Sequence, residues 1–237
     1  MNQSSAGAPA AAFDAFALDY DDALAAGLAA TGEGKEYFAR SRVEWLVNRM
    51  DGLGASARRV LDFGCGTGSG VPSLLRGLRP ETLLGVDVSA DSLARARAEH
   101  GSELVRFATI EETTPAGTFD LAFANGVFHH IAPAERPDAV HYIRRSLAPG
   151  ALFALWENNP WNPGTRYVMR HIPFDRDALP LTAAESRRLL RAGGFEILRT
   201  DFLFIFPHAL RFLRSIERPL ARWPLGGQYQ VLARAPR

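Results

Sequence analysis

Apolar residues fall into two kinds of run along the chain. Short, nearly continuous stretches at 58–63, 82–87, 103–108, 118–123 and 151–155 are bounded by glycine, proline or polar residues. Runs of that length and flanking read as buried strands. Between them, 69–79, 90–100 and 137–147 carry apolar residues at helical spacing, and each predicts a helix. Pro72 is tolerated because it falls in an opening turn, where a missing N–H costs nothing. Ser89 is placed to cap the helix 90–100, since its hydroxyl can accept from a free amide of the first turn. Pro149-Gly150 reads as a turn before the fifth strand. The alternation of strands and helices predicts a doubly wound α/β fold with a parallel sheet.

The pattern continues past that core. Thr182-Ala183-Ala184-Glu185 has the form of a capping box and opens a helix at 183–192. Gly193-Gly194 ends that helix, and strands are expected at 195–204 and 228–235. Phe13, Phe16 and Tyr20 recur at helical spacing, and Tyr37, Phe38, Val43, Trp45, Leu46 and Met50 form a second apolar face. Residues 13–50 therefore predict two helices, broken at Gly32 and Gly34. Residues 156–181 and 202–223 exceed what a sheet needs and, with 13–50, predict a cap over its carboxyl edge. Residues 1–12 are rich in Ala, Ser, Gly and Pro and predict a disordered tail. The expectation is one domain over 13–237.

Composition narrows the class. The chain has 237 residues, 47% hydrophobic and 22% charged, which suits a globular domain. A net charge of +1 gives no global signal for nucleic acid. Cys65 is the only cysteine, so no internal disulfide forms, and no Cys/His spacing predicts a metal. The N-terminal stretch lacks the basic start and apolar core of a signal peptide, and no run reaches membrane-span length, so a cytoplasmic location is expected. Residues 186–237 carry ten arginines against Glu196, Asp201 and Glu217. This is either a solvated helix face or a peripheral contact through 202–223 with an anionic or lipid-linked acceptor.

The stretch that carries chemistry is Val60-Leu61-Asp62-Phe63-Gly64-Cys65-Gly66-Thr67-Gly68-Ser69-Gly70. Glycine lacks a Cβ, so a strand-to-helix turn here can take positive φ and admit a ligand against bare backbone. The amides that open the next helix then face a polar group. The spacing fits neither register of the Gly-x-Gly-x-x-Gly dinucleotide fingerprint, because the third glycine would fall on Ser69 or Val71. No lysine follows, so it is not a phosphate loop either. A second buried run ends at Asp87, 23 residues beyond Gly64, near the spacing of about 20 expected for an acid that accepts both ribose hydroxyls.

The Asp-x-Gly-x-Gly-x-Gly pattern at Asp62, Gly64, Gly66 and Gly68, with Asp87 after it, resembles class I S-adenosylmethionine-dependent methyltransferases. The resemblance implies a seven-stranded, mostly parallel Rossmann-like sheet whose last strand is antiparallel. It also implies S-adenosyl-L-methionine as cofactor. Gly64, Gly66 and Gly68 would approach the methionine part, Asp62 would orient its amine, Asp87 would hold the ribose, and Cys65 and Val88 are further cofactor-binding candidates. The adenine position is open between Thr109 or Glu111 as polar partner, with Ile110 as the apolar one. Asn125, at the carboxyl end of the strand within Thr118 to Ile131, the stretch that looks like the family's fourth strand and exit loop, would sit near the donor. The N-terminal segment would lie over the cofactor as a lid, which makes Tyr20, Tyr37 and Arg42 candidates for ligand contact.

The acceptor end carries less signal. Methyl transfer from a sulfonium is an in-line displacement, so alignment and exclusion of water are the main tasks. His129 and His130 are candidate base or acceptor-orienting groups, against the alternative of histidines packed on the sheet. His171, Asn158 and Asn159 are cap or substrate candidates. The loop after Asn125 lacks the Asn/Asp-Pro-Pro-aromatic pattern of amino-methylating DNA and glutamine enzymes. The reading is methyl transfer to a small-molecule acceptor, oxygen first. The alternatives are carbon methylation of a quinone-like or lipid ring, and a non-catalytic cofactor-binding module.

Overall fold

The computed structural model describes residues 20–237, with side chains from residue 24. The expected tail at 1–12, the Phe13 and Phe16 positions and the Tyr20 side chain lie outside the described residues. The chain begins with α1 (Tyr20–Leu28), passes a 3-10 turn at Ala29–Thr31, and enters α2 (Lys35–Asp51). The core then alternates: β1 (Arg59–Phe63), α3 (Val71–Leu78), β2 (Thr82–Asp87), α4 (Ala90–His100), β3 (Val105–Thr109), β4 (Phe119–Asn125), α5 (Arg136–Ser146) and β5 (Leu147–Asn158). After β5 come α6 (Pro163–His171), a 3-10 turn at Pro173–Asp175, α7 (Ala183–Ala192) and β6 (Glu196–Leu203). A 3-10 segment at His208–Ile216, α8 (Glu217–Leu220) and β7 (Gln228–Arg234) complete the chain.

The seven strands form one sheet in the order β3-β2-β1-β4-β5-β7-β6. The pairs within β3 to β5 are parallel, and β7 runs antiparallel to both β5 and β6. The chain order reverses between β1 and β4. In open α/β sheets that switch point leaves a crevice outside the carboxyl ends, where ligands bind.

Local signals hold the helices in place. Ser89 accepts from the Ser92 amide at 3.1 Å, and Thr182 and Glu185 form the reciprocal capping box. Both faces of the sheet are covered. Leu61, Phe63, Ala122, Phe153 and Val231 pack under α5 and α7, while Val60, Leu83, Leu121, Phe123 and Trp156 pack under α2, α3 and α4. The inner strands are thus apolar on both sides, as a doubly wound sheet requires.

Two sequence expectations are corrected. Pro149-Gly150 is not a turn before β5 but an irregularity inside it. Phe119 pairs with Leu147, yet Leu121 pairs with Leu152, so β5 carries extra residues that loop out of the ladder there. Gly150, at φ +76°, allows the bend. At its other end β5 runs on through Trp156–Asn158, paired with β7, so these residues belong to the sheet rather than to the cap at 156–181. Phe202 and Leu203 likewise belong to β6. Among the described residues, α1, α2, α6 and the segment after β6 line one cavity at the carboxyl edge of the sheet.

Trp45 and Arg49 of α2 donate to the buried carboxylate of Asp201 on β6 at 3.1 and 3.0 Å, and Arg199 reaches the same group at 2.7 Å. This fixes α2 across the far edge of the sheet. Within 202–223, Phe212 is 73% exposed and Trp223 63% exposed, near the exposed Arg211, Arg218 and Arg222. No helix among the described residues is long and apolar enough to cross a membrane.

Candidate active site

The expected donor seat is the turn that leaves β1. Gly64, Gly66 and Gly68 take φ of +72°, +53° and +76°, conformations that side chains rarely adopt. The Gly64 and Cys65 amides donate to Val86 O on β2, which presses the turn against its neighbour. Asp87, at the end of β2, accepts from the Gly66 amide at 2.8 Å through Oδ2 and from the Val88 and Ser89 amides at 2.8 and 3.0 Å through Oδ1. One carboxylate therefore ties the glycine turn to the start of α4.

Three observations on this turn suit a cationic ligand. A Cβ at Gly66 would meet nothing within 4 Å, so bare backbone there faces open space. Asn125 Oδ1, at the carboxyl end of β4, is buried without a hydrogen-bond partner among the described residues. Asp62 is buried below the turn, and burial with the nearby charge of Asp87 pushes its pKa up to about 7. A ligand ammonium would relieve that strain. Acceptor oxygens for hydroxyls, a carbonyl dipole and a carboxylate are the groups that S-adenosylmethionine calls for at its ribose, sulfonium and amine.

The other expected cofactor residues divide. The Cys65 side chain packs inward beside Gly85 and Phe107, and burial raises its thiol pKa, so only its main chain faces the turn. Val88 is exposed next to Asp87. Thr109 and Glu112 bond reciprocally, the Thr109 amide to the carboxylate and the Glu112 amide to the hydroxyl, and Ile110 packs on the core. Glu111 is exposed on the same loop.

The cavity, about 670 Å³, begins at this seat, with Thr67 and Asn125 in its wall, and extends under the cap. Tyr37 and Phe38 of α2 meet Phe204 edge to face, and with Met169 they make its far wall apolar. Arg214 stacks over Tyr37 at 4.6 Å and pairs with Glu33. Arg42 and Asn158 also line the cavity, joined through Gln228 at 2.8 and 3.0 Å. His171 does not join them. It is exposed on α6, its ring bonded to Tyr167 O at 2.8 Å, outside the cavity wall. Asn159 is buried and donates to Gly226 O at 2.8 Å, holding the turn before β7.

His129, His130 and Asp175 sit in the cavity wall, with Glu157 buried behind His129; sequence reasoning missed both acids. Glu157, buried at the end of β5, accepts from the Val127 and Phe128 amides through Oε1 and from His129 Nδ1 through Oε2 at 2.5 Å. Asp175 comes from the 3-10 turn after α6, with its Oδ1 3.5 Å from His129 Nε2 and 3.3 Å from His130 Nε2. That turn is drawn in by Arg136, which bonds Phe128 O, Ile131 O and Leu179 O, and by the Leu179 amide on His129 O. Burial works against a charge on His129, but the two carboxylates outweigh it and its pKa is pushed to about 10. Burial and the neighbouring His129 lower that of His130, while both imidazoles hold Asp175 below its usual range despite burial. A signal for Glu157 did exist: an acid ending an otherwise apolar strand must find a partner. Nothing in the sequence pointed to Asp175.

A doubly wound sheet with a glycine turn at its switch point, an acid ending the second strand and a capped cavity beyond defines a nucleotide-cofactor enzyme fold. Comparison with known proteins specifies which. Residues 61–153 match the methyltransferase domain family. Among curated relatives, the trans-aconitate 2-methyltransferase of Rhodopseudomonas palustris strain BisA53 is 32% identical over 144 residues, 58% of this chain and 54% of that protein. The trans-aconitate 2-methyltransferase of Methylobacterium nodulans is 32% identical over 145 residues, 60% of this chain and 54% of that protein. The matched region thus spans about half the length of these relatives. Among solved structures, the 1,6-didemethyltoxoflavin-N1-methyltransferase of Burkholderia thailandensis, with bound 1,6-didemethyltoxoflavin and S-adenosylhomocysteine, superposes with a TM-score of 0.62 at 19% identity, covering 100% of this chain and 93% of that one. Residues 61–153 therefore carry a methyltransferase domain, on the fold shared with solved S-adenosylmethionine-dependent methyltransferases.

Proposed function

We propose that the protein transfers the methyl group of S-adenosylmethionine to an oxygen of a small organic acid held in the capped cavity. The observation that carries this reading is the continuity of the two sites: Asn125 ends the donor seat and also walls the cavity that His130 and Asp175 line. A sulfonium methyl is already electrophilic. The bound cofactor supplies that group, and the protein must hold donor and acceptor in line and keep water out. Asp62, Gly66 and Asp87 would bind the donor, with Asn125 Oδ1 offering its dipole to the cationic end. The cap, with Tyr37, Phe38 and Phe204, would exclude water and take the apolar body of the acceptor.

Oxygen is supported by the names of the curated relatives, which methylate trans-aconitate, a carboxylate substrate. In such a transfer the S–CH3 bond breaks as an O–CH3 bond forms, and the carboxylate charge is lost with the sulfonium charge. No proton need leave first. The apolar far wall favours an acid with an aryl or alkyl body over a small polycarboxylate. The test is methyl transfer from isotopically labelled cofactor to a panel of aryl and alkyl acids, trans-aconitate, phenols and amines. Base-labile methyl esters of the apolar acids are the expected products. Labelled phenol ethers or methylamines with no ester would overturn the reading.

A further inference from the structure

His129, His130 and Asp175 bring three ligand atoms together, all within 4.8 Å of one another, in the cavity wall. From this geometry we infer that they form a site for a divalent transition-metal ion, ligated by His129 Nε2, His130 Nε2 and Asp175 Oδ1 and open on its fourth side to the acceptor cavity.

Four features support the site. The first is spacing. A tetrahedral ion with bonds of about 2.0–2.1 Å holds its ligand atoms about 3.3–3.4 Å apart. Two of the three ligand pairs have about that spacing, since Asp175 Oδ1 stands 3.3 and 3.5 Å from the two imidazole nitrogens, and the set as a whole lies within 4.8 Å. The second is the tautomer. His129 Nδ1 donates to Glu157 at 2.5 Å, which turns Nε2 toward Asp175 as the ligating atom. A carboxylate behind a ligating histidine is the usual support of such a centre, because it fixes the ring and raises its basicity. Glu157 is itself held by two main-chain amides, so the support is rigid.

The third feature is charge. Glu157 and Asp175 are two buried carboxylates on one pair of imidazoles. A dication with both rings neutral balances them. The fourth is access, since His130 and Asp175 line the open cavity rather than a sealed core. Two nitrogens and one carboxylate oxygen with an open position suit zinc or a neighbouring first-row ion more than magnesium or calcium, which prefer oxygen ligands.

The ion's presence does not depend on the methyl-transfer reading; only its use does. In that reading the open position would hold an oxygen of the acceptor carboxylate beside the donor methyl. The test uses tag-free, chelator-stripped full-length protein, titrated with Co²⁺ and followed by visible absorption, and with Zn²⁺ by calorimetry. Close to one ion per chain is expected, with the strong absorption bands of four-coordinate Co²⁺. Asp175→Asn and His130→Asn should each abolish saturable binding. Glu157→Gln should weaken it by about 10–100-fold. Binding of S-adenosylhomocysteine by each variant establishes that it is folded. Two results would overturn the site: no absorption bands and no heat from the wild type at millimolar ion, or a folded Asp175→Asn protein that binds as tightly as wild type. All of these are read without turnover, so an inactive acceptor panel would leave the metal result standing.

Discussion

The Gly66 amide donates to Asp87 Oδ2 at 2.8 Å, joining the exit of β1 to the end of β2. The acid expected to serve the ribose is therefore also the clamp that shapes the glycine turn. Removing it should affect the fold as well as the ligand.

Asp87→Ala leaves the Gly66, Val88 and Ser89 amides without their carboxylate. The expected loss of folding stability without ligand is about 1–3 kcal/mol, the range for buried donors left unpaired. Urea denaturation of the ligand-free variant reads this directly. Calorimetry with S-adenosylhomocysteine should show weaker binding still. Affinity equal to wild type would remove Asp87 from the ribose role, and unchanged stability would remove it from the turn.

Two glycines of the same turn should respond in opposite ways. At Gly66 an added methyl enters open space, and only the strain of φ +53° opposes it, about 1–2 kcal/mol. Gly66→Ala should therefore fold and lose ligand affinity, because the methyl occupies the ligand's approach. At Gly64 the same methyl would lie 2.4 Å from Val127 Cγ2. Gly64→Ala should lower the melting temperature more than Gly66→Ala does. Comparable melting with comparable affinity in the two variants would refute this geometry.

What the sequence disclosed follows from how local each signal is. The bounds of β2, α4 and α7 match their expected ranges because each rests on its own cap or buried run, as with Ser89 and the Thr182–Glu185 box. The fold class was legible for the same reason. Pro149-Gly150 misled because turn residues also serve a bulge, and only the partner strand decides which. At the site, Gly66 and Asp87 were legible as a motif in one stretch of chain. Asp175 was not, because it reaches the histidines through a turn that Arg136 and Leu179 dock from elsewhere. Such non-local contacts leave no periodicity to read.

Asp201 illustrates that further. It read only as one of three acids in a basic tail, yet it is buried and takes Trp45, Arg49 and Arg199. Asp201→Ala would remove the acceptor of two partly exposed guanidinium groups and an indole N–H. A loss of about 1.5–3 kcal/mol is expected, the range for a hydrogen bond to a charged group. Denaturant unfolding measures it. A loss below about 1 kcal/mol would mean that α2 is held mainly by Val43, Leu46 and Met50 instead.

Asp62 makes both stability and cofactor affinity depend on pH, with opposite signs. Its folded pKa of about 7 lies above the value of about 3.9 in an unfolded chain. Between those values the folded state binds more protons than the unfolded state, so this group's contribution to stability is complete below about pH 4 and lost as pH rises to about 7. The cofactor's ammonium favours the ionised carboxylate and lowers that pKa in the complex. Affinity should therefore fall by up to about tenfold per pH unit below about pH 7 and level off above it. Asp62→Asn should flatten both profiles while weakening binding at pH 8. Calorimetry with S-adenosylhomocysteine from pH 5.5 to 8.5 makes the comparison. A wild-type affinity that stays constant across that range would show that Asp62 does not meet the amine.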